Sequence, residues 1–327
     1  MKKSVIIWSM KKYENEKQNG IVSSLLGEAT SAKSSGLTYS LSALMSNVIA
    51  FVFALILLMG GFATAEGFEK SDWYLYCSYL ISPVSFGIVA WLILRWQKVS
   101  FIDEVKSQKC APRYFIIAVF LQIGLLSLSE LNALFLKFLE GFGYQDSPIL
   151  LPNMDGFGFV GVLFVIALLP AVFEEVIFRG LLLKGLRPFG TIGAALICGG
   201  LFSLYHQNPA QTIYQFCCGV AFALVAIRSG SILPTVISHF LNNALILTLN
   251  KFGVSAFPAP VYITVLILSI ISLVATMVWL LFFEKKGVPT MKNAEERKKE
   301  SKFFWIFASV GIVYCAITWI SRLLGVA

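Results

Sequence analysis

The sequence predicts an all-α, polytopic integral membrane protein, a helical bundle of about eight to nine transmembrane helices. Hydrophobic residues make up 57% of the 327 residues and charged residues only 13%. This is more apolar side chain than a water-soluble globule of this length can hide. Apolar runs of about 20 residues, the length that crosses a bilayer, recur along nearly the whole chain. Basic residues collect between alternate runs, as they do in short cytoplasmic loops.

Nine apolar segments are candidate membrane crossings, the last being either a full crossing or a re-entrant segment. They span residues 41–65, 73–94, 114–136, 157–178, 190–207, 211–227, 231–249, 261–283 and 303–323. The chain therefore divides into a polar N-terminal tail, two crossings, a central region, and C-terminal crossings joined by a basic linker. We place these four parts at residues 1–40, 41–112, 113–250 and 251–327.

The basic residues predict the orientation of the chain in the membrane. If the N-terminus lies in the cytosol, the cytosolic segments hold 22 of the 26 Lys and Arg residues, and only Lys70, Lys137, Lys251 and Arg322 lie on the other side. We therefore expect a cell-membrane protein with a cytosolic N-terminus and an external C-terminus. Because the net charge of +8 follows these loops, we expect the lipid bilayer and no nucleic acid as a partner.

The polar segments and the cysteines carry no predicted chemistry. Residues 1–40 are expected to form a cytosolic tail rather than a cleaved signal. The run from Glu295 to Lys302 (EERKKESK) is expected to be a solvated linker. The six cysteines show no CxxC pair and no zinc-ligand spacing, so we expect free thiols that serve as small packing residues.

Four ionisable side chains lie in apolar segments, where desolvation costs several kcal/mol. They are the adjacent Glu174 and Glu175 and the only two histidines, His206 and His239. Glu175 and Arg179 are four residues apart on one helical face and are expected to pair. Glu174 is rotated about 100° from Glu175, so it is left to face a cavity and exchange protons. The alternative is a structural ion cluster that braces the bundle.

Two further helices contribute to the predicted site. Phe202 and His206 share one helical face, and His239 and Asn243 share another. A single histidine in an apolar helix is often a satisfied core residue, but the combination on successive helices favours a common site. Helix geometry puts Glu174 and His206 level, roughly 23 Å from their shared turn, and His239 about 14 Å from the next one. The difference of about 9 Å predicts tilt, a kink, or a fourth helix that projects beyond the bilayer.

Two prolines precede these site residues along their helices. Pro170 lies four residues before Glu174, and Pro234 lies five residues before His239. Each is expected to bend its helix and open a wet pocket. For Pro234 the alternative is a place in the first turn of its helix.

Three motifs in this order, Glu174-Glu175-x-x-x-Arg179, Phe202-x-x-x-His206 and His239-x-x-x-Asn243, resemble those of the CPBP superfamily. This group contains type II CAAX prenyl proteases and bacteriocin-processing intramembrane endopeptidases. The resemblance covers roughly residues 113–250 and implies an all-helical protease core whose site opens toward the cytosol. It also implies hydrolysis of a peptide bond in a membrane-associated or prenylated protein or peptide.

The resemblance assigns roles to these positions. Glu174 is the implied general base, His206 helps to hold the attacking water, and His239 with Asn243 stabilises the oxyanion. Glu175 and Arg179 brace the motif, and Phe202 supports it. A glutamate mechanism without metal or cofactor is favoured because HExxH is absent. The alternative is zinc bound by Glu174, His206 and His239.

Two other classes of function stay open from the sequence. A non-catalytic membrane factor of the same fold would serve in bacteriocin self-immunity, or as a regulator or scaffold of cell-surface enzymes. A transporter or proton relay also uses intramembrane Glu, Arg and His. The chain shows no paired discontinuous helices in corresponding halves, which argues against transport.

Overall fold

The computed structural model describes residues 31–62, 67–100, 109–146, 149–254, 257–288, 291 and 293–326. Within these residues every regular element is helical, which confirms the predicted all-α class. The α-helices are α1 (Ser31–Met59), α2 (Asp72–Gln97), α3 (Arg113–Leu125), α4 (Leu128–Glu140), α5 (Phe157–Val162), α6 (Leu169–Glu175), α7 (Gly190–Tyr205), α8 (Thr212–Ser229), α9 (Leu233–Lys251), α10 (Ala259–Val278) and α11 (Ala294–Leu323). The π-helical stretches are Leu163–Leu168, Val176–Leu182 and Trp279–Phe283, and the 3-10 helices are Phe68–Lys70, Leu183–Phe189 and Pro209–Gln211.

The protein is a multi-pass membrane protein. In the described part of the chain, seven helical segments are long and apolar enough to cross a membrane. Two predicted crossings, 157–178 and 190–207, correspond to a single one of these segments, Phe157–Tyr205. The predicted crossing at 231–249 is not among the seven, although it is the helix α9. Its polar residues include His239, Asn242 and Asn243, which lower its mean hydropathy.

The first helix begins at Ser31, ten residues before the predicted start of the first crossing; residues 1–30 lie outside the described residues. Small hydroxyl residues made this part of the sequence look polar. In the helix they are buried, because their hydroxyls find backbone acceptors: Ser35 Oγ donates to the Leu181 carbonyl at 2.9 Å, and Thr38 Oγ1 to the Ser34 carbonyl at 2.7 Å.

The basic segment Glu295–Lys302 is not a linker as predicted but the start of α11. The Asn293 side chain caps this helix by accepting hydrogen bonds from the Glu295 and Glu296 amides at 2.9 and 3.3 Å. The two glutamates also lie in the first turn, where negative charge favours a helix. The cap and the acidic first turn extend the apolar helix into the charged segment.

The first and last helices pack against each other along their lengths. Ser40 Oγ donates to the Phe307 carbonyl at 2.6 Å and accepts from the Gly311 amide at 3.0 Å. Gly36 and Gly311 lie at this contact, where a Cβ atom would meet the opposite backbone. This small-residue contact closes the bundle around the central helices.

The elements from α5 to Leu183–Phe189 form one continuous helical stretch, residues 157–189, which we call the motif helix. The chain reverses at Gly190, whose φ of 69° favours glycine, and α7 packs back on the motif helix so that Cys198 Sγ lies 3.5 Å from the Phe178 carbonyl. The turn that the two predicted crossings 157–178 and 190–207 share therefore lies at Gly190.

The two prolines have different places. Pro170 lies in the first turn of α6, two residues after the end of the π-helical stretch Leu163–Leu168. It cannot donate to the carbonyl four residues earlier, and a widened turn accommodates its ring. Pro234 lies in the first turn of α9, where a missing amide hydrogen costs nothing, as the alternative interpretation predicts.

Candidate active site

Arg179 is a fully enclosed charge of the motif helix, with a side chain that is 0% exposed. Its Nη1 donates to Glu175 Oε1 at 2.8 Å, and its Nη2 donates to the Gly219 carbonyl on α8 at 3.2 Å. The guanidinium also lies over three rings, Phe202 at 4.3 Å, Phe222 at 5.3 Å and Phe178 at 6.0 Å. Arg179 thus pairs with Glu175, as their spacing predicts, and links the motif helix to α7 and α8.

His239 of α9 lies between the two glutamates. Its Nδ1 is 3.0 Å from Glu175 Oε1, and its Nε2 is 3.8 Å from Glu174 Oε2. Because a carboxylate only accepts, Nδ1 carries the proton of the shorter contact, which orients Nε2 toward Glu174. Phe222, at 5.7 Å, and Phe202, at 6.1 Å, pack on the imidazole and hold its plane.

Glu174 differs from Glu175 although both are buried. Glu175 Oε1 receives Arg179 and His239, whereas Glu174 Oε2 accepts no hydrogen bond from any described residue. The 3.8 Å contact with His239 Nε2 is too long for a direct hydrogen bond. The rotation between adjacent helical positions therefore separates the paired carboxylate from the one that accepts no hydrogen bond from a described residue.

His206 lies directly after α7, and its Nδ1 donates to the Phe202 carbonyl at 2.8 Å. In the neutral imidazole this leaves Nε2 as an acceptor. The ring packs edge-on against Phe202 with centroids 4.8 Å apart, and it interacts electrostatically with both Glu174 and His239. Gln207, the next residue, has a φ of 52°, a backbone conformation that is rare for residues other than glycine.

The predicted depth difference of about 9 Å does not keep these side chains apart, since His239 contacts both glutamates. The helical count assumed uniform α geometry. The motif helix instead continues after Glu175 as a π-helical stretch and then a 3-10 helix, whose rises per residue differ from an α-helix. π-helical turns within α-helices are frequent at functional sites.

Asn243 lies one turn beyond His239, is half-buried, and makes no side-chain hydrogen bond within the described part of the chain. Its neighbour Asn242 is instead bound on both sides: its Oδ1 accepts from Gln122 Nε2 at 3.0 Å and from the Tyr214 hydroxyl at 2.6 Å. Sequence reasoning missed this network, which holds α9 against α3 and α8. A sequence signal for it was Gln122, the only amide side chain in the apolar helix α3.

The predicted zinc ligands do not form a ready metal site. In the described ranges, no three His, Cys, Asp or Glu side chains are grouped so that they could hold a metal ion. Both Nδ1 atoms are also committed, His206 to the Phe202 carbonyl and His239 to Glu175. These residues fit a protein-only hydrogen-bond network better than a first coordination shell, and we derive no step through zinc.

One family model matches part of the chain. Residues 156–245 match the model of the family described as Type II CAAX prenyl endopeptidase Rce1-like. No curated protein and no solved structure matches the chain. The matched segment runs from the motif helix to α9 and contains all three motifs. The match supports a CAAX-type intramembrane protease kind of function, and it confirms the resemblance predicted from the motifs, with residues 156–245 as the Rce1-like segment of this membrane protein.

Proposed function

We propose that this protein is an intramembrane endopeptidase in which Glu174 activates a water that hydrolyses a peptide bond of a membrane-associated or prenylated protein or peptide. One observation carries the proposal. Two adjacent buried carboxylates have different environments: Glu175 Oε1 accepts hydrogen bonds from Arg179 and His239, whereas Glu174 accepts no hydrogen bond from a described residue. A carboxylate that accepts no hydrogen bond from the protein can accept one from an attacking water and act as its general base.

The attacking water would donate one hydrogen to Glu174 Oε2 and the other to His206 Nε2. The hydrogen bond from His206 Nδ1 to the Phe202 carbonyl supports this role, because it leaves Nε2 as an acceptor. The water oxygen attacks the scissile carbonyl carbon while Glu174 takes its proton. When the C–N bond breaks, Glu174 returns that proton to the leaving amine, so the products are a carboxylic acid and an amine.

His239 and Asn243 would stabilise the oxyanion of the tetrahedral intermediate. Because Nδ1–H of His239 donates to Glu175, Nε2 can donate only when the ring is an imidazolium. Asn243 adds an amide donor one turn away. Removing one such donor typically costs 10²- to 10³-fold in kcat.

Two cavities support access from the membrane and from one aqueous side. A cavity of 570 Å³ lies between α2 and α6 and is lined by Trp91, Val172 and Phe173, the residue before Glu174. A second, of 440 Å³, reaches Arg179 from the end of the bundle that carries Arg187 and Gly230. In the predicted orientation, with a cytosolic N-terminus in the cell membrane, that end faces the cytosol.

Replacement of Glu174 tests the proposal. Glu174→Gln keeps the shape of the side chain but removes the base, so we expect processing of a co-expressed membrane-anchored peptide to fall at least about 10²-fold. Membrane insertion and accumulation of the variant should be unchanged. The matched control is Glu140→Gln, which changes an exposed carboxylate on α4 and should leave processing intact.

Full processing by Glu174→Gln would contradict the enzymatic proposal and favour a non-catalytic membrane factor of the same fold. Zinc analysis of the same purified proteins tests the metal alternative. Stoichiometric zinc that is lost in His206→Ala would contradict the metal-free mechanism.

A further inference from the structure

A third cavity lies outside the candidate active site, where the start of α3 meets the end of α8 and the segment that follows α10. Its volume is 690 Å³. The positively charged side chains that line it are Lys109, Arg113, Arg228, Lys285 and Lys286. Glu284 is the one carboxylate among its lining residues. The lining therefore carries a formal excess of positive charge. Like charges held close together repel one another and do not stabilise the helical bundle.

Arg228 is the central charge of this cavity and is only 7% exposed. Its Nε donates to the Leu280 carbonyl at 2.7 Å, and its Nη1 donates to the Lys286 carbonyl at 2.6 Å. Both partners are neutral backbone groups, and Arg228 forms no ion pair with a described carboxylate. A buried cation without a counter-charge is costly, and an anion in the cavity would offset that cost.

The single carboxylate of the cavity is already occupied. Glu284 accepts from Arg113 Nε at 3.0 Å and Nη2 at 3.2 Å, and its Oε2 lies 2.7 Å from the Tyr114 hydroxyl. Glu284 therefore balances Arg113, and the other cations of the lining have no acid partner among the described residues. Lys286 Nζ donates to the Ser229 carbonyl at 3.2 Å, again to a neutral acceptor.

The surroundings of the cavity indicate what kind of anion it takes. Phe283 lines the cavity and is 64% exposed, and its neighbour Phe282 is 73% exposed. One turn into α3, Ile116 is 59% exposed. These side chains belong to segments that are apolar enough to span a membrane, so the surface beside the cavity is the one that faces lipid tails. Trp279, which donates to Glu284, is typical of the interface level.

We propose that this cavity binds the phosphate headgroup of an anionic phospholipid, with the acyl chains along the apolar faces of α3 and α10. Basic pockets between transmembrane helices at the cytoplasmic surface bind such headgroups. The bound phosphate would connect α3, α8 and α10 at the turn that leads into α9, the helix that carries His239. The proposed site uses none of the catalytic residues, so its test is independent of the proposed protease activity.

Binding can be measured on the purified full chain in a neutral detergent at low salt. The probes are dioctanoyl phosphatidylglycerol, dioctanoyl phosphatidylcholine and inorganic phosphate, and the readout is the shift in Tm with probe concentration. We expect the anionic lipid to raise the Tm, and the zwitterionic lipid and inorganic phosphate to have no comparable effect. Each basic residue near a headgroup contributes roughly 1 kcal/mol, so Lys109→Gln with Lys285→Gln should weaken binding about thirty-fold.

The matched control removes two exposed lysines elsewhere, Lys298→Gln with Lys302→Gln at the start of α11, and should bind like the wild type. Equal binding by the Lys109/Lys285 variant and the wild type would overturn the proposal. Equal stabilisation by phosphatidylcholine would show that the net negative charge of the lipid does not contribute to binding, and would overturn the proposal. Equal stabilisation by inorganic phosphate would assign the cavity to a free anion and overturn the lipid assignment.

Discussion

At the scale of single residues, neighbouring glutamates have different surroundings because a helix turns about 100° per residue. Glu175 points to Arg179 and shares its Oε1 with His239, whereas Glu174 Oε2 is buried without a donor among the described residues. The Arg179 guanidinium has no water-exposed surface and depends on that one carboxylate for charge compensation. The pair should therefore matter to the fold, and Glu174 to the chemistry.

Glu175→Gln should destabilise the protein, because it leaves Arg179 as an uncompensated buried charge. Breaking one side of such a pair costs about 3–5 kcal/mol. We expect a lower Tm and poorer accumulation in the membrane, in contrast to Glu174→Gln. The double variant Glu175→Gln, Arg179→Gln should be less destabilised than the single effects together predict. A Glu175→Gln protein as stable as the wild type would contradict this account.

The ion pair and the motif positions could be predicted from residue spacing alone. Spacing also favoured Asn243 for the site, but no sequence pattern indicates that Asn242 binds Gln122 and Tyr214. Those partners lie 120 and 28 residues away, and which of two adjacent amides meets them depends on the rotation of α9. A hydrogen bond between distant helices has no local pattern.

At the scale of elements, the close approach of α7 and α8 allows Arg179 to reach the Gly219 carbonyl. A Cβ atom on Gly199 would lie 2.7 Å from the Val220 amide nitrogen, and one on Gly219 would lie 2.7 Å from Gly199 Cα. The two backbones therefore touch where small residues permit it, as in many membrane helix pairs.

Gly199→Ala should separate these helices and lower the stability by about 1–3 kcal/mol, the usual cost of overpacking. Gly200 provides the matched control, because a Cβ atom there meets nothing within 4 Å. Gly200→Ala should be neutral or slightly stabilising, since alanine is the better helix former. Thermal unfolding of the two variants side by side makes the comparison. Equal Tm values would mean that the contact is not tight in solution.

The apolar runs predicted where the main helices lie. Several helix ends could not be predicted from hydropathy. The N-terminus of α1 was hidden by serine and threonine residues whose hydroxyls donate to carbonyls within the helix and on the motif helix. The π-helical stretches have the same composition as an α-helix, so only the chain around Pro170 suggested irregular geometry. Tertiary packing decides such local geometry, and a hydropathy profile does not contain it.

At the scale of the whole molecule, Glu284 joins α3 to the end of α10. Burial raises the pKa of Glu284, but hydrogen bonds from Arg113, Tyr114 and Trp279 outweigh burial and hold the pKa below its ordinary value. A carboxyl group with a lowered pKa stabilises the folded state above its unfolded pKa of about 4.3. That contribution is lost as the pH falls through the folded pKa.

The difference in Tm between the wild type and Glu284→Gln should therefore be largest at neutral pH and shrink below about pH 4, as the wild-type carboxylate takes up a proton. Thermal unfolding in detergent over this pH range tests the expectation. The matched control variant is Glu69→Gln, at an exposed carboxylate. A difference that grows toward acid pH would contradict the assigned direction.

The contact between α1 and α11 has a consequence for biosynthesis. Ser40 and its acceptor Phe307 are 267 residues apart, and a ribosome adding about 5–20 residues per second needs roughly 13–53 s to make that stretch. During this interval the first helix lies in the bilayer without α11. Lipid then contacts Gly36 and Ser40, which later pack against α11. The final partner of α1 arrives last, so assembly of the bundle cannot simply follow the order of translation.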